Sequence, residues 1–330
     1  MSLDARLKRI GLDYYLLLLV GTVVLATLLP ASGTGAVIVS QIAYYAVALL
    51  FFIYGAKLNT AALVAGLSNW RLQLLVFGCT YLAFPLLGVG LTSILSPWLE
   101  PNIALGLLFL AVLPSTVQSS IAFTSMARGN VPAAVCAASI SNLVGVFLTP
   151  ALAALLFHTS GVGVNPNAVV GIGMQILLPF ALGQLARPLV GKWIARHKVL
   201  TVVVDRGSIL LIVYSAFSAG VVAGIWQMVD GSTLAIMIIA DIVLLAAIIW
   251  LGSVVGKAAG LPREDAAVML FCGSTKSLAS GIPIANILFV GQPISLIVLP
   301  LMLFHQLQLF VCAIMAQRQA SRLSGEVQPA

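Results

Sequence analysis

Charge is what this sequence has least of. Only 8% of its 330 residues are Asp, Glu, Lys or Arg, where a soluble domain carries about a quarter. Acidic residues are the scarcer of the two signs, nine in all against sixteen Lys and Arg. A chain this poor in charge cannot clothe a water-soluble enzyme or binding domain. Cysteines number four, Cys79, Cys136, Cys272 and Cys312, all within apolar segments and none at a metal-ligand spacing. They read as small buried hydrophobes, with neither a disulfide framework nor a metal site expected. What fills the chain is hydrophobic residue, 61% of it, and the class this implies is a polytopic membrane protein.

A bilayer core of about 30 Å takes about 20 apolar helical residues to cross. Windows of that length, cut at polar or Gly/Pro-rich breaks, predict ten spans: 13–31, 36–56, 73–96, 102–127, 131–157, 167–190, 208–229, 233–257, 265–289 and 292–316. Fifteen of the sixteen Lys and Arg residues then fall on one side of the membrane. By the positive-inside rule both termini are cytoplasmic. The net charge of +7 therefore follows membrane topology, and with no accompanying motif it does not predict a nucleic-acid partner. Membrane lipid is the expected surrounding, and a bacterial inner membrane the expected location. The stretch LLLLVGTVVLATLLPASG resembles a signal peptide, but its removal would spoil the even span count. Trp98 and Trp250, near span ends, fit interfacial anchors.

The two halves of the chain share a plan. Tyr54 and Tyr214 are 160 residues apart, Ser115-Thr116 and Ser274-Thr275 are 159 apart, and Gly129 and Pro132 correspond to Gly291 and Pro293 at offsets of 162 and 161. Three matches in register predict a five-span unit used twice, over 1–160 and 161–330. Five is odd, so the second copy enters from the opposite side and the repeats are inverted, the usual plan of secondary transporters. Spans 4 and 9 are the interrupted pair. Span 4 carries Pro114, Ser115, Thr116, Gln118, Ser119 and Ser120; span 9 carries Gly273, Ser274, Thr275, Lys276, Ser277, Gly281 and Pro283. Unwound backbone is tolerated in a membrane only against protein or a polar cavity, so the two breaks are expected to meet inside the molecule. The simpler alternative is that these hydroxyls bond to their own helices or mediate helix packing.

Residues 113–150, LPSTVQSSIAFTSMARGNVPAAVCAASISNLVGVFLTP, resemble the bile acid:sodium symporter family, solute carrier family 10. The resemblance implies an all-α fold with a core domain of spans 3, 4, 5, 8, 9 and 10 and a panel domain of spans 1, 2, 6 and 7. Broken helices 4 and 9 would cross, and an organic anion would move by alternating access, coupled to sodium. Sodium-using members carry a glutamate followed by a glutamine and an asparagine in the span 9 crossover. Here the stretch reads GSTKSLASG, similar to the branch containing the family's seventh human member. Ser274 stands about where the glutamate would, with Lys276 two residues on. Ser139, Ser141 and Asn142 of span 5 and the span 4 serines remain neutral oxygen ligands of the kind sodium takes. An ammonium and a sodium ion at about 4 Å repel by several kcal/mol at an intermediate dielectric, so the two are not expected to share a site.

A charged lysine in mid-membrane costs about 2.5 to 3.5 kcal/mol on insertion scales, so it is expected to have a partner or to be neutral. The acidic residue in the body of a span is Asp241, and a buried Lys276–Asp241 pair, with sodium coupling retained, is the structural expectation. The functional one is a tethered cation: the Lys276 ammonium sits where the family holds sodium, bonded to oxygens of Ser115, Thr116, Ser119 and Ser274. A lysine also binds and releases protons, so proton coupling is expected as the alternative to sodium, and no organic cofactor is expected. Gln175, Gln184, His305, Gln306 and Gln308 either line the crevice or satisfy kinks near Pro179 and Pro300.

Two other functional classes fit parts of the sequence. A serine with a lysine base is a nucleophile arrangement, but Ser274 and Lys276 do not share a helix face, and no peptidase motif is present. Secondly, the resembling eukaryotic branch is associated with control of cellular calcium, which implies a regulatory membrane protein without transport of its own. The expectation adopted is a secondary transporter of a small organic solute, an anion.

Overall fold

The computed structural model describes residues 14–57, 69–158, 173–222, 224, 227 and 229–325. Among these residues there is no strand. Helices α1 (Tyr14–Leu28) and α2 (Gly33–Lys57) are followed by α3 (Trp70–Gly78), which passes through a π-helical turn (Cys79–Ala83) into α4 (Phe84–Leu95). Next come α5 (Pro101–Val112), α6 (Gln118–Met126) and α7 (Val131–His158). A second π turn (Gly173–Leu177) leads into α8 (Leu178–Arg196), then α9 (Lys198–Val222) and α10 (Gly231–Ala258). The chain ends with α11 (Arg263–Ser274), α12 (Leu278–Leu288) and α13 (Ile294–Gly325).

Among the described residues seven helical stretches are long and apolar enough to cross a membrane: Gly33–Lys57, Trp70–Trp98, Val131–Phe157, Val199–Val222, Gly231–Ala258, Arg263–Leu288 and Ile294–Ala320. Leu17–Leu28 and Pro101–Val112 are shorter apolar helices. Expected spans 1, 4 and 6 are not among the seven long stretches. Expected span 4 is divided between α5 and α6, each too short to cross alone. Expected span 6 begins outside the described residues, and its remainder, α8, carries Arg187, Lys192 and Arg196. Exposed apolar side chains such as Leu185, Leu189 and Val199 are what a lipid-facing surface requires.

The chain divides into two compact units, each drawing on both halves of the sequence. One comprises Met1–Asn59, Pro150–Gly231 and Gly281–Val298. In it α2 lies against α8 through two glycines: a Cβ on Gly55 would strike the Phe180 carbonyl, and a Cβ on Gly183 the Phe52 carbonyl. Small residues let the two backbones approach this closely. Ile53, Ala56 and Ile194 fill the space beside them, and Ser208 on α9 donates to the Ala46 carbonyl at 3.1 Å.

The second unit comprises Thr60–Thr149, Ser232–Ser280 and Leu299–Ala330. Phe123, Ala127, Leu270, Phe271, Cys312 and Ala316 form an apolar cluster within it. The ARGN stretch turns between α6 and α7, with Arg128 in the left-handed region at φ 56°. A Cβ on Gly129 would meet Ala267 and Thr124. Asn130 caps α7 by accepting from the Ala133 N–H at 3.1 Å and donates to Asp265 at 2.8 Å. Asp265 takes a second bond from Asn69 at 2.7 Å, tying the starts of α3, α7 and α11 together.

Candidate functional site

Pro114 opens the site. The residue before a proline is driven out of the helical region, and Leu113 is extended at φ −73°, ψ 155°, so α5 stops at Val112. The Ser115 N–H, instead of closing an α-turn on Ala111, donates to Ser141 Oγ at 3.0 Å, and Asn142 Nδ2 donates to the Ser115 carbonyl at 2.7 Å. The carbonyls of Ala111 and Leu113 are thereby left facing inward. The facing break runs from the end of α11, where Thr275 is extended at φ −102°, ψ 150°. The two breaks join directly, the Ser277 N–H donating to the Pro114 carbonyl at 2.8 Å.

Successive residues of an extended segment point to opposite sides, and Thr275 and Lys276 do so. Thr275 Oγ1 lies 3.1 Å from Ser115 Oγ and 2.7 Å from Ser120 Oγ, closing a hydroxyl triangle between the breaks. Lys276 turns the other way and is fully buried. Its Nζ donates to the carbonyls of Thr80 at 2.9 Å, Ala111 at 2.8 Å and Leu113 at 2.7 Å. The Phe84 ring centroid is 4.0 Å from Nζ, close enough for a cation–π contact.

The third carbonyl has its own cause. In the π turn the Phe84 N–H reaches back to Cys79, and Pro85, next along, has no N–H to give. Thr80 therefore keeps its carbonyl for another donor. Three acceptors match the three N–H donors of an ammonium, whereas a neutral amine would turn its lone pair on one of them.

The backbone of Lys276 is held as firmly. Gln308 on α13 accepts from the Lys276 N–H at 2.7 Å and donates to the Lys276 carbonyl at 2.8 Å. His305 Nδ1 lies 2.8 Å from Gln308 Nε2. Ser280 Oγ lies 3.1 Å from Ser277 Oγ and donates to Asn142 Oδ1 at 2.8 Å.

The structure thus brings Ser115, Ser120, Ser141, Asn142, Thr275, Lys276 and Ser277 into one network. Thr116 Oγ1 serves its own turn, accepting from the Ser119 N–H at 3.2 Å. Ser274 bonds back to the Leu270 carbonyl. Gln118 is exposed and Ser139 half-buried. The expected hydroxyl partners of the ammonium, Ser115, Thr116, Ser119 and Ser274, are replaced by backbone carbonyls, because the extended break aims Lys276 away from them.

The expected Lys276–Asp241 pair is corrected as well. Asp241, on α10, is fully buried, yet neither carboxylate oxygen has a hydrogen-bond partner. The donors of Lys276 go to the three carbonyls, one from the π turn and two from the end of α5. The same bonds occupy the lysine that a serine hydrolase would need as its base.

Sequence reasoning missed Thr80, Tyr81, Gln308 and Asp265. Tyr81 donates to the Ser141 carbonyl at 2.6 Å, and the readable signal for this region was Pro85. Gln308, expected to line the crevice or satisfy a kink, instead holds the backbone of Lys276. Among the described residues no group of three or more His, Cys, Asp or Glu is placed to hold a metal ion.

Comparison with known proteins agrees with a transporter. The profile of the SBF-like CPA transporter family matches residues 13–321. Uncharacterized protein PA2026 of Pseudomonas aeruginosa is 51% identical over 94% of this chain and 93% of that protein. Putative symporter YfeH of Escherichia coli strain K12 is 46% identical over 93% of this chain and 92% of its own length. Sodium/bile acid cotransporter 7 of Rattus norvegicus is 28% identical over 94% and 93% of the two chains. The resemblance to the bile acid:sodium symporters therefore holds, and the chain belongs to the SBF-like CPA transporter family.

Proposed function

We propose that this protein is a secondary transporter that moves a small organic anion by alternating access, with the Lys276 ammonium in place of a dissociable sodium ion. The observation that carries this reading is the cage of carbonyls from Thr80, Ala111 and Leu113 around Nζ. Unwound backbone carbonyls at broken helices are the ligands that secondary transporters present to coupling cations. Here a cation that belongs to the chain fills them. The rat relative is named for sodium and bile acid; in this chain the crossover offers sodium hydroxyls but no carboxylate, beside a fixed positive charge.

The same proposal includes ten spans in two inverted halves, 1–160 and 161–330, with core and panel domains. Two compact units that each draw on both halves support it. Protons serve as the coupling ion in place of sodium, and Lys276 is the group that carries them. The location is a bacterial inner membrane with both termini cytoplasmic, supported by the bacterial relatives and the one-sided Lys and Arg.

Purified protein in liposomes, offered a panel of radiolabelled organic carboxylates under imposed sodium or proton gradients, tests the reading. Uptake should persist when sodium is replaced by potassium, should follow the proton gradient, and should be lost in Lys276→Gln. Strict dependence on sodium, or full activity of the variant, would sink it.

A further inference from the structure

The turn between α10 and α11 builds a basic cleft within the second unit. Gly260, in the left-handed region at φ 63°, ends α10, and the Leu261 N–H reaches back to the Gly256 carbonyl at 3.0 Å, as helices closed by a left-handed glycine do. Leu261 is thereby folded over Gly256, and Pro262 caps the start of α11. The turn brings Lys257, in the last turn of α10, and Arg263, the first residue of α11, to one cleft. Gln319 of α13 supplies a third wall, and Arg263 Nη2 donates to its carbonyl at 3.0 Å.

The cleft encloses about 400 Å³, within the range of small-molecule sites. Beyond the two cations its walls are apolar, with Gly252 and Gly256 from α10 and Ala266, Ala267 and Leu270 from α11. Leu270 is seven residues from Arg263, about 10 Å of helix, so the cleft runs from a charged rim into an apolar depth. Glu264 and Asp265, the acids of the same turn, do not line it. Asp265 is turned to Asn69 and Asn130.

Gly252 and Gly256 have the spacing by which membrane helices pack backbone to backbone, but they are not used that way. A Cβ on Gly252 would meet nothing nearer than the Met269 carbonyl oxygen at 4.0 Å, and one on Gly256 nothing nearer than the Leu261 and Met269 side chains at 3.8 Å. At Gly55 and Gly183, by contrast, a Cβ would strike a facing carbonyl. The α10 pair keeps a groove open.

Lys257 and Arg263 lie on the side where the Lys and Arg of the chain gather, the cytoplasmic one under the positive-inside rule. That leaflet presents anionic headgroups, and basic pockets between helices on this side suit them. A phosphate reaches both cations, while a glycerol and its first methylenes match the apolar groove. A soluble phosphate would leave the groove unfilled, and a zwitterionic lipid would bring a third cation to the rim.

We infer that this cleft binds the headgroup of an anionic phospholipid from the cytoplasmic leaflet, with the phosphate between Lys257 and Arg263 and the glycerol along Gly252 and Gly256. The inference rests on the membrane placement proposed above and not on the transport of any solute.

Protection of a thiol placed in the cleft tests it. The four native cysteines are buried, so Ser253→Cys, at the cleft wall, adds one reactive thiol, and the unsubstituted protein supplies the background. Labelling by N-ethylmaleimide is followed on purified protein in neutral detergent, alone and with phosphatidylglycerol, phosphatidylcholine or inorganic phosphate. Phosphatidylglycerol is expected to slow labelling about fivefold or more, and the other two to leave it nearly unchanged. Adding Lys257→Gln or Arg263→Gln should raise the phosphatidylglycerol concentration for half-protection by about fivefold. Lys57→Gln, which removes a charge elsewhere on the basic side, should not move it. Should Ser253→Cys fail to fold or to react, Gln319→Cys reports from the facing wall.

Equal protection by the two lipids, or a half-protection point unmoved in both cleft variants, overturns the inference. Protection by inorganic phosphate as strong as that by phosphatidylglycerol makes the cleft a site for a soluble anion and overturns the lipid. Labelling of the thiol from outside intact cells by an impermeant maleimide overturns the membrane placement, and the leaflet with it, while protection in detergent still reports the binding.

Discussion

Gln308 clasps Lys276 at both polar groups of its backbone, accepting from the N–H at 2.7 Å and donating to the C=O at 2.8 Å. One side chain thus replaces the helical bonds that the break between α11 and α12 gives up. The extended conformation that aims Nζ at its carbonyls depends on that clasp.

Removing the clasp leaves the buried Lys276 N–H without a partner, at about 1 to 3 kcal/mol, and its carbonyl with only the His305 Nδ1 contact at 3.4 Å. Gln308→Leu, close in size but unable to bond, is expected to lower the melting temperature of purified protein by several degrees. Gln308→Glu keeps an acceptor for the N–H, loses the donor to the carbonyl, and should fall between the two. A Leu variant as stable as wild type would show that the break holds without α13.

The carbonyl cage makes an ion-specific prediction. In Lys276→Met the carbonyls of Thr80, Ala111 and Leu113 lose their cation, and the variant should melt below wild type. Sodium should raise its melting temperature more than potassium does, because binding to the folded state stabilises it by mass action. Wild type should show no such difference. Equal responses of the two proteins would mean that the cage is not a cation site.

Asp241 is fully buried with no partner for either oxygen. A buried polar group left unbonded costs about 1 to 3 kcal/mol in proteins, so a nearly isosteric change that reduces the penalty should stabilise the fold. Asp241→Leu is expected to raise the melting temperature, with Asp241→Asn smaller in effect. A lower melting temperature in both variants would contradict the unpartnered environment. Stability gained at the expense of uptake would mark the carboxyl as one kept for function.

The paired glycines of α2 and α8 predict a sharp contrast among alanine substitutions. Gly55→Ala and Gly183→Ala each drive a methyl into a carbonyl of the facing helix and should markedly reduce the yield of folded protein on gel filtration. Gly21→Ala meets nothing within 4 Å. It should be neutral or gain about 0.5 to 1 kcal/mol from helix propensity.

Helix positions were legible because a membrane leaves the chain little choice: long apolar runs must close their own hydrogen bonds. The breaks were legible too, since Pro114 cannot donate and Gly273, Ser274 and Thr275 interrupt an apolar run. What surrounds the lysine was not. Its partners are backbone carbonyls, which every residue owns, so no residue type announces them; only Pro85, by withholding an N–H from Thr80, leaves a trace. Expecting Asp241 as partner assumed that a buried charge seeks another side chain. Three well-placed carbonyls and the Phe84 ring meet the same need without one. Asp265 was hidden differently, because an acid at a span end passes for a solvated charge, whereas it bridges Asn69 and Asn130.

A cation built into the chain cannot leave with the solute. In a sodium-coupled carrier the ions that accompany an organic anion offset its charge and draw on their own gradient. A Lys276 ammonium that keeps its proton returns with the protein at the end of the cycle and contributes nothing net. Unless a proton travels with it, a monovalent anion crosses as bare negative charge, and a membrane potential of 100 mV, negative inside, opposes its entry by about 2.3 kcal/mol. The same voltage favours its exit. The direction in which this protein works is then set by the electrical state of the cell, with protonation of the cargo or of the lysine as the means of escaping it.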